Sequence, residues 1–184
     1  MRRMTLLVLG IVLACASATT FTDDGGKKKI DVRLSGYEET LVALSTTGNG
    51  HFQARINKDE TEIEWQLSYG DLEGTVTQSH IHFVARAQSG GISVFFCTNL
   101  GNGPAGTPAC PASAPEDNPL TGVATAANVI GPAGQGIAPG EFAELIAAIR
   151  AGVAYVNVHS TKYPGGEIRA QFPADNGNGD HDNH

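Results

Sequence analysis

Apolar and polar positions alternate along most of the chain, with the period of a half-buried β-strand. Ile30, Val32 and Leu34 share one face of a first predicted strand, and Phe52, Ala54 and Ile56 one face of a second. In the third, Ile63, Trp65, Leu67 and Tyr69 point one way while Glu62, Glu64, Gln66 and Ser68 point the other. That pattern describes an antiparallel strand with one dry and one wet face. Asn57 to Glu60 forms the turn between the second and third strands. Val76 to Val84 and Ile92 to Phe96 continue the alternation. Several short strands with polar turns predict an all-β fold, an antiparallel Greek-key sandwich or barrel.

Two segments break the period. Thr98 to Pro119 is rich in Gly, Pro, Ala and Asn and reads as a long loop. Residues 141–151 read as one short amphipathic helix. Phe142, Leu145, Ile146 and Ile149 follow i, i+3, i+4, i+7, acids stand in the first turns and Arg150 at the end. A closing hairpin follows. Ala154, Val156 and Val158 are expected to point inward with Ile168, Ala170 and Phe172, and Tyr163-Pro164-Gly165-Gly166 forms the turn. Tyr155, Asn157, His159, Glu167, Arg169 and Gln171 then share the outward face, where a polar cross-strand ladder is the simplest role for Glu167 and Arg169.

The ends have a different character. Arg2 and Arg3, an apolar run from Leu6 to Ala14, and Cys15-Ala16-Ser17-Ala18 have the layout of a secretory signal peptide over residues 1–18. Val12-Leu13-Ala14-Cys15 also resembles a lipobox, in which the leader ends before Cys15 and that cysteine is lipidated. No segment is apolar and long enough to span a bilayer as a helix. Residues 19–29 read as a polar tether, residues 30–173 as the domain, and residues 174–184 as a disordered acidic and histidine-bearing tail. The chain carries a net charge of −7 and loses two positive charges with the leader, which excludes nucleic acid as a partner. In an exported protein, Cys97 and Cys110 are expected to form one disulfide.

Candidate chemistry is sparse. There is no Gly-x-Ser-x-Gly elbow, no cysteine nucleophile and no phosphate-cradling glycine loop, so no catalytic residue is assigned. Ser79-His80-Ile81-His82-Phe83 places two imidazoles on one face of a strand, about 6.5 Å apart along it. Should that face meet the outward face of the closing hairpin, His80, His82 and His159 form a three-imidazole set suited to copper or zinc. Asn157, Glu167 and Arg169 are then candidates for the surrounding shell that orients the ring nitrogens.

Three stretches carry a family resemblance: Leu34-Ser35-Gly36-Tyr37-Glu38-Glu39-Thr40, the Ser79 to His82 segment, and Tyr155-Val156-Asn157-Val158-His159-Ser160 with Pro164-Gly165-Gly166-Glu167-Ile168-Arg169. They resemble the chordin-type (CHRD) domain from about Ile30 to Phe172. Ser160 replaces the usual Thr, Ala170 the usual Gly and Leu41 the usual Pro. The family is named for repeats in an extracellular growth-factor antagonist. A single copy behind a leader and lipobox resembles its microbial members, and the Cys97 and Cys110 loop resembles theirs, so the growth-factor partner is not carried over. The pattern is also faintly similar to the copper/zinc superoxide dismutase fold. That enzyme needs further histidines and a ligating Asp, whereas this domain has only His51 beyond the three, so the likeness is one of fold. The first expectation is a non-enzymatic module, secreted or tethered to the cell envelope, that binds an extracellular protein or envelope component. The alternative is a copper- or zinc-binding protein using the three histidines, with redox activity open to it.

Overall fold

The computed structural model describes residues 28–175. The leader with its Cys15, most of the tether, and the tail from 176 with His181 and His184 lie outside the described residues. Eight strands and one helix run in the order β1 (Lys29–Ser35), β2 (Asn49–Ile56), β3 (Ile63–Gly70), β4 (Val76–Phe83), β5 (Gly91–Thr98), β6 (Leu120–Ala124), α1 (Phe142–Arg150), β7 (Ala154–Ser160) and β8 (Ile168–Gln171). All pairings are antiparallel, and the single sheet has the order β5-β4-β7-β8-β1-β2-β3-β6.

The sheet curls until it is nearly a closed barrel, as the alternation predicts. Its two edge strands, β5 and β6, do not hydrogen-bond. Instead the Trp65 ring packs 4.4 Å from that of Phe96 on β5. The seam holds a cavity of about 280 Å³ between these strands and the 104–108 loop. Gly122 of β6 is required here, because a Cβ on it would sit 2.5 Å from the Trp65 ring. The barrel interior is filled by the inward set. Phe52 packs against Phe96 and Phe172, with Ile30, Ile56, Ile63, Leu67, Val156, Val158 and Ile168 around them. Burying each such side chain contributes about 1.5–3 kcal/mol.

The apolar stripe of α1, Phe142, Leu145, Ile146 and Ile149, joins the same core. Arg150 at its end pairs with Glu60 in the β2–β3 turn and with Asp175. The Cys97–Cys110 disulfide forms, with Cα atoms 4.9 Å apart. It ties the long loop to β5, and the Asn99 side chain adds bonds to Val76 O and Cys110 O.

Four expectations need correction. β6 lies just beyond the predicted loop and was not anticipated, because Leu120-Thr121-Gly122-Val123-Ala124 is short and carries a glycine at the Trp65 contact. The tether ends before Lys29, which opens β1 opposite Arg55. The tail begins after Asp175, whose N–H donates to Arg150 O at 2.7 Å and whose carboxylate pairs with Arg150 and Lys28. Finally, the outward face of the closing hairpin is not wet. Tyr155, Asn157, His159, Glu167 and Arg169 are all buried beneath the segments that follow β1, β4 and β7.

Candidate metal centre

The site is built where β4 and β7 pair. Register sets Ser79 opposite Val158, His80 opposite Asn157 and His82 opposite Tyr155. His80 and His82 lie on one face of β4, and Ile81 turns into the core. His159 joins them, so the two segments meet as the three-histidine hypothesis requires. Ring centroids lie 5.2 Å apart for His80 and His82, 5.0 Å for His80 and His159, and 6.1 Å for His82 and His159. One ring nitrogen from each lies within 4.8 Å of the others. An ion held by three imidazoles at about 2.0 Å needs nitrogens about 3.5 Å apart, so the rings must draw together to close on a metal.

All three are dry. His80 is 0% exposed, and His82 and His159 are 6% exposed. Their hydrogen bonds divide unevenly. His82 Nδ1 lies 2.9 Å from Gly90 O, and His159 Nδ1 lies 2.9 Å from Pro164 O. A proton on each Nδ1 donates to those carbonyls and leaves Nε2 as a lone pair. His82 Nε2 has no partner, and neither nitrogen of His80 has one. His159 Nε2 lies 3.1 Å from Asn157 Oδ1, so the contacts of this ring with Pro164 O and with Asn157 Oδ1 call for the proton on different nitrogens. Asn157 therefore touches the cluster at His159.

Burial pushes the titrations down, as loss of water disfavours the charged imidazole. His80 falls to about 2, through burial first and then the neighbouring His159 and His82. His82 falls to about 4, again mainly through burial, with the Gly90 carbonyl opposing. Burial lowers His159 as well. The rings are therefore neutral at physiological pH, the state that ligates a metal.

Arg169 acts on the cluster through an aromatic layer. Its guanidinium lies 3.4 Å from the Tyr155 ring centroid, and the other partner of that ring is His82, parallel to it at 4.6 Å. Arg169 donates to Thr40 Oγ1, Gln88 O and Gln171 Oε1. Glu167 lies elsewhere. It accepts from Thr46 Oγ1 and the Glu73 N–H, and it shares no hydrogen bond with the histidines or with Arg169. Neither an orienting role toward an imidazole nor a Glu167–Arg169 ladder matches these contacts.

Sequence reasoning missed Tyr155 as the layer between Arg169 and His82, and Pro164 and Gly90 as the carbonyls that set tautomers. The Pro164 turn was visible five residues after His159, but a backbone acceptor leaves no side-chain signature. It also missed Glu39. Burial pushes this carboxyl up to about 7 against the opposing pull of Arg169.

The opening, central and closing motifs thus converge on one place. Glu39 and Thr40 meet Arg169, and the Ser79 to His82 strand meets Asn157 and His159. No curated protein and no solved structure matches the chain. A family model, the CHRD domain, matches residues 30–172, which takes in every strand, the helix and all three histidines but the first residue of β1. The chain is a member of the CHRD domain family.

Proposed function

We propose that this CHRD-domain chain is an exported, non-enzymatic module that holds one copper or zinc ion on His80, His82 and His159. One observation carries the reading. His80 is completely buried beside two other imidazoles, and both of its ring nitrogens lack a hydrogen-bond partner. A buried polar group left unpaired costs about 1–3 kcal/mol, and a core histidine kept only for packing has no reason to bear that cost. A ligated ion takes up one of the two nitrogens and removes that part of the cost. The Nδ1 bonds of His82 and His159 to backbone carbonyls support the same assignment, because ligating imidazoles are commonly held through their second nitrogen.

The burial of all three rings favours holding the ion over turning over a substrate. Export rests on the leader pattern, and the Cys97–Cys110 disulfide supports an oxidising compartment. Secretion and tethering through a lipidated Cys15 both fit that leader. A partner-binding role is supported separately by Leu41 and Val42, which stand exposed beside an apolar recess formed with Leu44, Tyr163 and Pro164.

The test is metal content. The full chain carrying His181→Ala and His184→Ala, which removes the tail histidines, is purified and its copper and zinc are measured. It is compared with the same chain bearing His80→Ala, His82→Ala and His159→Ala. Near one equivalent of metal, lost in the second protein while its circular dichroism stays β-rich, is the expected result. No metal in either, with no thermal shift on adding copper or zinc, would sink the assignment.

A further inference from the structure

The character of the cage goes further than its existence. Resting on the metal-site reading above, we infer that the ion it is built for is monovalent copper, bound by three imidazoles alone. Among the described residues, His80, His82 and His159 form the one group of three or more His, Cys, Asp or Glu donors placed to hold an ion, and it contains no carboxylate or thiolate. The donor set therefore brings no negative charge to the metal.

No carboxylate among the described residues hydrogen-bonds to the three imidazoles. The charged group layered onto the cluster is the Arg169 guanidinium, set on Tyr155 and through it on His82. Two carboxyls come near this region. Burial holds Glu39 at about 7, so much of it is uncharged at neutral pH, and its opposite charge partner is Arg169. Glu167 is committed to Thr46 and the Glu73 N–H.

Charge and hydration then select the ion. The cost of taking an ion from water into a dry, uncharged site scales with the square of its charge, so a dication pays about four times what a monocation pays. Divalent zinc normally offsets this with thiolate or carboxylate ligands, or keeps a water in a fourth tetrahedral position. Divalent copper prefers tetragonal coordination by nitrogen and oxygen. Here the three rings are at most 6% exposed, and the half-buried Phe95 packs its ring 4.3 Å from His80, edge to face, on the flank. A monovalent d10 ion needs neither a counter-charge nor a fourth ligand. Three imidazole lone pairs satisfy it, among them His82 Nε2, which has no partner while Nδ1 of the same ring is held by Gly90 O.

The full chain with His181→Ala and His184→Ala is titrated anaerobically at pH 7 with Cu(I) against a chromophoric Cu(I) chelator. It is titrated separately with Zn(II) and with Cu(II) against chelators of known affinity. One equivalent of Cu(I), bound at least about 100-fold more tightly than Zn(II), is expected, with X-ray absorption showing three nitrogen neighbours. His80→Asp, which places a carboxylate in the ligand set, should reverse the order of Cu(I) and Zn(II). Zn(II) or Cu(II) bound as tightly as Cu(I), or a four-coordinate copper, would overturn the monovalent assignment while leaving the metal site intact. No stoichiometric uptake of any of the three ions would overturn both.

Discussion

The buried imidazoles make acid the natural probe of single residues. An unfolded histidine titrates near 6.5, whereas His82 and His80 in the fold titrate near 4 and 2, and His159 is also lowered. The unfolded chain therefore binds the extra protons as pH falls, and stability is lost from about 6.5 downward. Glu39 works in the opposite sense, because its folded titration is raised and the fold gains its proton as pH drops through about 7. Each group changes stability by up to about 1.4 kcal/mol per pH unit, so three histidines against one glutamate leave a net loss of about 2 kcal/mol between pH 7.5 and 5.5. Arg169 and Tyr155, which face the same cluster, keep their charge states across this range. Urea unfolding of the metal-free protein at pH 7.5 and 5.5 should show that loss. His80→Asn, His82→Asn and His159→Asn together should flatten it, and an equally pH-dependent triple variant would contradict the assignment. Leu41 makes a different point at this scale. Its φ is +70°, which a proline ring forbids, and its side chain is 94% exposed. A Leu41→Pro substitution is therefore expected to lower the unfolding free energy measured in urea.

At the scale of elements, period-two alternation located β1 to β5, β7 and β8, and the i, i+3, i+4, i+7 stripe located α1 to within one residue at each end. These features are legible because each element has one face in a common core, and the core writes its period into the chain. The strand β6 was not legible, since five residues with a central glycine hold too little of that period. The solvent status of the closing hairpin was misread for a related reason. Polar residues on alternate positions usually mean water, but here Arg169, Asn157 and His159 face the covering segments. Those segments come from distant parts of the sequence, so no local pattern announces them. Same-face placement of His80 and His82 was readable from spacing, whereas the approach of His159 depends on β4 pairing with β7 across more than 70 residues. The loop after β5 carries its own prediction. Cys97 and Cys110 are 13 residues apart, and closing a loop of that size is worth about 3 kcal/mol in the chain-entropy model. Cys97→Ala with Cys110→Ala should lower the free energy of unfolding by about that amount in urea. A change below about 1 kcal/mol would mean that the Asn99 contacts alone hold the loop.

Across the whole molecule, the barrel is a sheet of two quartets. β1-β2-β3-β6 and β5-β4-β7-β8 meet at β1 and β8, where register is limited to one pair, Ser35 with Arg169, while β1 and β2 share seven. The three imidazoles belong entirely to the second quartet. The stretch holding Glu39 and Thr40, which meets Arg169, grows directly out of β1 in the first. Arg169 therefore stands at the joint between the quartets and also fastens that stretch through Thr40. With one register pair against seven, β1 is expected to part from β8 more readily than from β2. Amide hydrogen exchange offers a clock for that motion. The amides from Gly36 to Leu44 should exchange faster than those of β2 in the metal-free protein, and should slow once an ion draws the three rings together.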